Sequence, residues 1–189
     1  MTNASATLLG TIAPAAPRAL RATLAVLGGA ALIALAARVQ VPMWPVPMTM
    51  QTFAVILIAM AFGARMGVGA VAMYLAQGAA GLPVFAAGGG IAYLMGPTAG
   101  YLWGFVLVAA VVGWLADRGL TRHFAGALGL ALLGSALIYL AGASWLATFV
   151  GAEAALTAGV LPFLPGDLVK SLLAAMLLPA AWTLLARLR

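Results

Sequence analysis

The chain has 189 residues, of which 66% are hydrophobic and only 6% are charged, whereas an ordinary soluble domain has roughly 25% charged residues. This composition excludes a soluble globular fold for almost all of the chain. The net charge of +6 comes from basic residues that are scattered singly, without the dense patch typical of nucleic-acid binding. No nucleic-acid partner is therefore expected. The chain has no cysteine, which excludes disulfides and thiolate metal sites.

Long uncharged stretches predict helices that cross a lipid bilayer. Positions 66–116 carry no charge, and a helix crosses a ~30 Å hydrocarbon core in about 20 residues, so this stretch must cross more than once. A transmembrane β-barrel would need short segments that alternate apolar and polar residues, whereas these stretches are uniformly apolar. In chain order, the predicted spans are 20–37, 49–64, 67–82, 97–116, 124–149 and 161–186.

The predicted fold class is therefore all-α integral membrane, with six transmembrane helices in a single domain over residues 1–189. Residues 1–17 are expected to form a flexible cytoplasmic tail. On span 1, the small residues Ala30, Ala34 and Ala37 share one face with Val26. Small residues at this spacing let two helices approach closely. The spacing leaves open whether the second helix belongs to this chain or to another protein.

The distribution of basic residues predicts the orientation. Seven basic residues lie at the termini, in the turn between spans 2 and 3, and in the loop between spans 4 and 5: Arg18, Arg21, Arg65, Arg118, Arg122, Arg187 and Arg189. Arg38 is the one basic residue in the connections on the other side. Basic residues favour the cytoplasmic side, so both termini are predicted to be cytoplasmic in a multi-pass protein of the cell (inner) membrane.

The outer connections, 38–48, 83–96 and 150–160, are rich in proline or glycine and carry only Arg38 and Glu153 as charges. Such apolar segments are expected to cap the outer mouth of the bundle rather than to extend into solvent. Spans 2 and 3 are short, and short spans are a sequence indication of a transporter's binding site. Phe85 and Tyr93, in the second connection, are candidate lid aromatics or residues of the membrane interface.

Asp167 and Lys170 are the clearest candidates for ligand contacts. Charges within a span cost ~2.5–3.5 kcal/mol each, and Pro165 suits the first turn of a helix, which places Asp167 where the helix dipole favours an anion. The two residues are three apart and share one face. They form either a neutralising ion pair or a polar wall for a ligand with hydrogen-bonding and anionic groups. Gln51, Tyr74 and Gln77 are lesser candidates, for ligand contacts or for hydrogen bonds between helices.

Signatures of an enzyme are missing from the sequence. His123 lies beside Arg122 in a loop, and there is no carboxylate pair, nucleophile triad or metal-ligand cluster. Lys170-Ser171 resembles the end of a phosphate-binding loop, but Val169 stands where that motif needs glycine. We therefore expect no catalysis, cofactor or metal, and any ATPase that drives transport must be a separate protein.

Five stretches, in this order, are similar to the BioY family, the biotin-specific substrate-capture (S) components of energy-coupling factor (ECF) transporters: Pro45–Thr52, Gly81–Phe85, Gly88–Gly90, Gly96–Tyr101 and Pro162–Lys170. Together they extend across nearly the whole chain. One departure is Ala99, where the family pattern has a second glycine.

The resemblance implies a six-helix S-component bundle that captures biotin with high affinity from outside and works with a transmembrane T component and two ATPases. It implies that Asp167 and Lys170 line the biotin site, and that the face with Ala30, Ala34 and Ala37 docks on the T component. The alternatives are a stand-alone biotin carrier, an S component for another small vitamin, and a structural membrane protein that binds no small molecule.

Overall fold

The computed structural model describes residues 17–187, and most of these are helical. In chain order, the elements are α1 (Arg18–Arg38), the strands β1 (Gln40–Val41) and β2 (Met48–Thr49), α2 (Gln51–Ala79), α3 (Ala99–Ala116), α4 (Phe124–Val150), α5 (Ala152–Gly159) and α6 (Leu164–Arg187). The predicted tail falls, apart from Pro17, outside the described residues, as does Arg189.

Within residues 17–187, five helical stretches have the length and apolar composition needed to cross a membrane: Arg18–Arg38, Gln51–Ala79, Ala99–Ala116, Phe124–Val150 and Ala152–Arg187. Large apolar side chains remain exposed along them, among them Leu24, Leu140 and Met176. Lipid is the solvent in which such side chains are stable on an outer surface. The prediction of an all-α membrane protein is confirmed.

The chain reverses direction inside α2. Gly63 has φ 78° and ψ 178°, a conformation that essentially only glycine adopts. The Gln51 side chain donates to the Tyr74 hydroxyl at 2.6 Å, whereas a straight helix would separate these two residues by about 35 Å. The two halves of α2 therefore fold back on each other. Spans 49–64 and 67–82 were predicted to be joined by a turn at Arg65, but the break lies at Gly63.

The second half of α2 begins directly after Gly63, without an intervening loop. The carboxylate of Asp117, which follows α3, accepts a hydrogen bond from the first backbone N–H of this half. The Ala64 N–H donates to Oδ2 of Asp117 at 3.2 Å, in the way that an N-cap side chain satisfies a free helix N–H. Gly113 of α3 lies against the same place: a Cβ there would stand 2.6 Å from the Cα of Ala64. The fold-back is therefore tightly packed.

All three connections predicted to be outer contain regular structure that could not be predicted from the sequence, and in the second this is a 3-10 helix over Ile91–Met95. In the first, β1 and β2 form a hairpin in which Gln40 pairs with Thr49. In the third, α5 occupies most of the segment expected to be a loop. It follows Gly151, which has φ 85°, and ends at Gly159. Because the residues between these glycines are mostly alanine, a good helix former, they form a short helix.

The small-residue face of α1 packs largely inside the chain. Ala30 and Ala37 are 0% exposed, and Ala34 is partly buried against the same core. A Cβ on the neighbouring Gly29 would stand 2.7 Å from the Cβ of Ala70 in α2. Close approach between α1 and α2 therefore accounts for small residues on this face, and docking of a T component there stays a prediction.

We expect Ala30→Trp to destabilise the protein, since a large side chain in a filled helix interface costs typically 1–3 kcal/mol or more. Ala31→Trp is the matched control, because Ala31 is exposed on the same helix. Thermal unfolding in one detergent should show a lower midpoint for Ala30→Trp and a midpoint near the parent's for Ala31→Trp. Equal midpoints would contradict internal packing of this face.

Candidate functional site

A buried ion pair lies at the N-terminal end of α6. Asp167 lies in the helix's first turn and Lys170 one turn later, with exposures of only 4% and 9%. The Lys170 ammonium meets Oδ1 of Asp167 at 2.7 Å. The predicted shared face is thus confirmed, and the first turn is where a helix favours a carboxylate. A charge pair this deeply buried must be well hydrogen-bonded to be tolerated.

Lys170 uses all of its donors within the chain. An ammonium group has three N–H bonds, and besides Asp167 it reaches the backbone carbonyl of Thr49 at 2.8 Å and Oγ1 of Thr52 at 3.1 Å. Thr49 belongs to β2 and Thr52 to the first turn of α2. The lysine therefore ties the outer hairpin and the start of α2 to α6.

Asp167 accepts hydrogen bonds on both carboxylate oxygens. Oδ1 accepts from Lys170 and from the Thr52 hydroxyl at 3.2 Å, and Oδ2 accepts from the Tyr139 hydroxyl at 2.5 Å. Tyr139 comes from the middle of α4. Side chains from three helices thus meet at one carboxylate, and the network carries one negative and one positive charge.

Gln51 extends this polar network toward the fold-back helix pair. Its side-chain N–H donates to the Tyr74 hydroxyl at 2.6 Å, and its carbonyl oxygen accepts from Oγ1 of Thr49 at 3.2 Å. Tyr74 is completely buried. Of the two uses considered for these residues, the hydrogen bond between helix segments is formed. Gln77 is half-buried on the same helix and contacts none of these groups in the described hydrogen bonds.

Three aromatic rings connect the second outer connection to the bundle. Phe85 is 0% exposed; it packs edge-on against Tyr74, with ring centroids 5.4 Å apart, and stacks on Tyr93 at 4.9 Å. Arg38 donates to the carbonyl of Pro83 in the same connection. Within this connection Phe85 and Ala86 are buried, whereas Ile91 and Met95 are exposed, so only the part around Phe85 packs into the bundle.

The network surrounds a cavity of about 50 Å³, which we call the inner cavity. Its polar wall comes from two threonines, an amide, a tyrosine and the ion pair: Thr49, Gln51, Thr52, Tyr139, Asp167 and Lys170. Its aromatic wall comes from four further residues: Tyr93, Tyr101, Phe105 and Phe163. Of the predicted site residues, four line this cavity, whereas Tyr74 and Phe85 lie behind its lining and Gln77 does not line it.

A second and larger cavity of about 410 Å³, which we call the outer cavity after the predicted orientation, adjoins the first. It is bounded by the hairpin's prolines together with Gln40 and the segment around Pro97. Tyr93, Pro47 and Thr98 line both cavities. The two spaces are therefore adjacent, with these three residues at their boundary.

Sequence reasoning missed Tyr139, Thr49 and Thr52 as site residues. Tyr139 lies in an apolar span that also contains Ser135, Ser144 and Thr148, and no pattern distinguishes it from an interfacial tyrosine. The threonines fall within the stretch Pro45–Thr52 that carries the family resemblance, so that stretch contained the available signal. Across residues 17–187, no group of three His, Cys, Asp or Glu side chains is arranged to hold a metal ion.

A family model and individual relatives both match this chain, and they name the same family. The model of the BioY family matches residues 5–187. The chain is 41% identical over 142 residues to the probable biotin transporter BioY of Pyrococcus horikoshii, covering 75% of this chain and 83% of the relative. It is 42% identical over 149 residues to the biotin transporter BioY of Thermotoga maritima, covering 78% and 87%.

The fold is similar to a crystal structure of the S-component for biotin from an ECF-type ABC transporter. The TM-score is 0.78 at 23% identity, with 88% of this chain and 93% of the other covered. The family match extends over almost the whole chain and includes the hairpin, the ion pair and every described helix. The chain is a member of the BioY family.

Proposed function

We propose that this protein captures biotin from the outer side of the membrane and imports it as the substrate-specific subunit of an ECF-type transporter. The observation that carries the proposal is the inner cavity, in which a neutral, hydrogen-bonded charge pair faces aromatic side chains. BioY relatives are named as transporters, and we propose transport rather than catalysis for this chain. The named relatives and the structural neighbour concern biotin, and the residues of the site suit that molecule.

Biotin combines a fused apolar ring system, a ureido group with two N–H donors, and a carboxylate on an acyl chain. The aromatic wall suits the ring system, because apolar and aromatic side chains make up most of a small-molecule site. The Asp167 carboxylate and the Tyr139 hydroxyl suit the ureido donors. We propose Asp167, Lys170, Gln51 and Tyr93 as ligand-binding residues, with Tyr74 and Phe85 supporting Gln51 and Tyr93 from behind. Gln77 is no longer favoured.

ATP hydrolysis, in this proposal, comes from partner proteins. The chain has no phosphate-binding loop, since Val169 precedes Lys170-Ser171, and the structural neighbour is a component of an ECF-type ABC transporter. We therefore propose a transmembrane T component and two ATPase subunits as partners. The face of α1 with Ala34, which is only partly buried, stays the proposed docking surface for the T component.

Equilibrium binding of labelled biotin to the purified chain in detergent tests the function directly. We expect saturable binding that unlabelled biotin displaces. The absence of binding would reject the proposal and favour a structural role. Uptake into vesicles that contain this chain but no ATPase separates the two biotin hypotheses, because a stand-alone carrier would equilibrate biotin across the vesicle membrane and an S component would not.

We further propose six membrane crossings with both termini in the cytoplasm. The fold-back at Gly63 divides α2 into two segments, and the excess of basic residues at one end supports the orientation. Because the chain lacks cysteine, single cysteines can be added at exposed Ile91, Arg65 and Leu120. In intact cells, an impermeant thiol reagent should label Ile91→Cys but neither Arg65→Cys nor Leu120→Cys. The reverse labelling pattern would overturn the orientation.

A further inference from the structure

We infer that an anionic phospholipid binds at the C-terminal end of α3, on the side of the bundle predicted to be cytoplasmic. Its acyl chains lie along an exposed face of α3, and its phosphate meets arginines in the loop of residues 117–123. This loop lies far from the ion pair, because the Thr121 hydroxyl within it accepts from Nε1 of Trp182, at the other end of α6. The lipid site is therefore distinct from the cavities described above.

One face of α3 is apolar and exposed along most of the helix, and we call it the α3 face. Its residues recur at intervals of four, four and three, which places them on one side of an α-helix. The four side chains are large and between 38% and 52% exposed: Trp103, Leu107, Val111 and Trp114. Because α3 is long and apolar enough to cross a membrane, acyl chains are the natural cover for this face.

Arg118 continues the α3 face toward the lipid headgroups, since it stands four residues after Trp114. Its guanidinium lies over the Trp114 ring, 3.2 Å from the ring centroid, and donates one hydrogen bond to the Trp114 carbonyl at 2.8 Å. A guanidinium has five N–H donors, and within residues 17–187 no carboxylate forms an ion pair with Arg118. A planar guanidinium with open N–H groups matches the geometry of a phosphate.

A second arginine lies beside the first. The Arg122 guanidinium lies over the ring of Trp182, 5.1 Å from its centroid. The Arg122 side chain also passes close to Gly119, where a Cβ would stand 3.8 Å from its Nε. Gly119 directly follows Arg118, so both positive charges are at the same place in the loop, and each is held against a tryptophan.

Charge favours an anionic headgroup at this loop. Besides the two arginines, the loop contains a single acid, Asp117, whose carboxylate already accepts from the Ala64 N–H. Each arginine near a membrane surface strengthens the attraction to anionic lipid by roughly fivefold. Leu120 and Phe124 are exposed apolar residues of the same segment, which suits the boundary between headgroups and acyl chains. A phospholipid covers both the basic and the apolar surface, whereas a free anion covers only the first.

Native mass spectrometry of the purified full chain tests for this lipid. The protein in detergent is titrated with phosphatidylglycerol or with phosphatidylcholine that has the same acyl chains, and the lipid-bound fraction is measured. We expect one phosphatidylglycerol to bind at least about tenfold more tightly than phosphatidylcholine. The double variant Arg118→Gln with Arg122→Gln should lose this preference. Equal affinity of the parent for the two lipids would overturn the inference.

Arg65→Gln with Arg187→Gln is the matched control, because it removes the same charge from exposed residues at the same end of the bundle. This variant should keep the preference for phosphatidylglycerol. Equal loss in both double variants would show a diffuse effect of net charge and overturn the site. Inorganic phosphate should not displace the lipid, since it has no acyl chains, and displacement would identify a site for a free anion instead.

Thermal midpoints of both double variants should match the parent's, because all four arginines are exposed. If the glutamine variant of the loop proves unstable, Arg118→Lys serves in its place, since it keeps the charge. It should weaken phosphatidylglycerol binding several-fold, because an ammonium neither stacks on Trp114 in the same way nor binds a phosphate bidentately. Unchanged affinity in this variant would overturn the assignment of Arg118.

Discussion

Asp167→Asn and Lys170→Met will each weaken biotin binding by roughly ten- to a hundredfold, because the first removes the carboxylate proposed to accept from the ligand and the second removes the ammonium that orients this carboxylate. Each will also destabilise the protein. Breaking one partner of a buried ion pair typically costs 3–5 kcal/mol, since the other charge is left buried and uncompensated. Asn keeps the size of Asp, and Met keeps the length of Lys, so neither change opens a large cavity.

The double variant Asp167→Asn with Lys170→Met separates binding from stability. With neither charge present, the desolvation penalty disappears, and we expect a thermal midpoint close to the parent's. Biotin affinity should stay as weak as in the single variants, because the Asp167 carboxylate and the ammonium that orients it are both still missing. The measurements are labelled-biotin affinity and thermal unfolding of all four proteins in one detergent. If the double variant binds biotin like the parent, Asp167 and Lys170 contribute to stability but not to binding.

Gly113→Ala will destabilise the protein where the helix pair folds back. The added Cβ would stand 2.6 Å from both the Cα and the N of Ala64, and 2.8 Å from the carbonyl carbon of Gly63. These are backbone atoms, so the contact can be relieved only by moving α3 away from the reversal. Overpacking of this kind costs typically 1–3 kcal/mol and occasionally more. The same displacement would disturb the Asp117 hydrogen bond to the Ala64 N–H.

Gly28→Ala is the matched control for this prediction. A Cβ at Gly28 of α1 meets no atom within 4 Å, and alanine is the better helix former. Its thermal midpoint should equal or exceed the parent's, while that of Gly113→Ala falls. Two glycine variants with the same midpoint as the parent would show that the fold-back has room for a side chain.

The helices could be predicted from the sequence because a bilayer requires long, uniformly apolar segments, and few other folds produce them. The shared face of Asp167 and Lys170 could be predicted because it follows from helix geometry alone. Both predictions depend only on residues that are close together in one segment. They succeed because the sequence of that segment alone determines that it is helical and which side chains share a face.

Other features depend on which segments become neighbours, and these could not be predicted. Tyr139 lies 28 residues from Asp167 in sequence, so no local pattern in α4 reveals its hydrogen bond. The alanines of α1 are small because α2 approaches them, and the same spacing is equally compatible with a separate protein. The break at Gly63 rather than Arg65 depends on a backbone conformation that the charge pattern does not report.

The bond from Lys170 to position 49 ends on a backbone carbonyl rather than on a side chain. Amino-acid exchange at position 49 therefore leaves an acceptor for the lysine in place, although it changes the partner of Gln51. The length of the hairpin is constrained, because one residue inserted or deleted between β1 and β2 would move that carbonyl away from the Lys170 ammonium. Across related sequences, this geometry permits variation in the residue type at position 49 and restricts variation in the length of the hairpin.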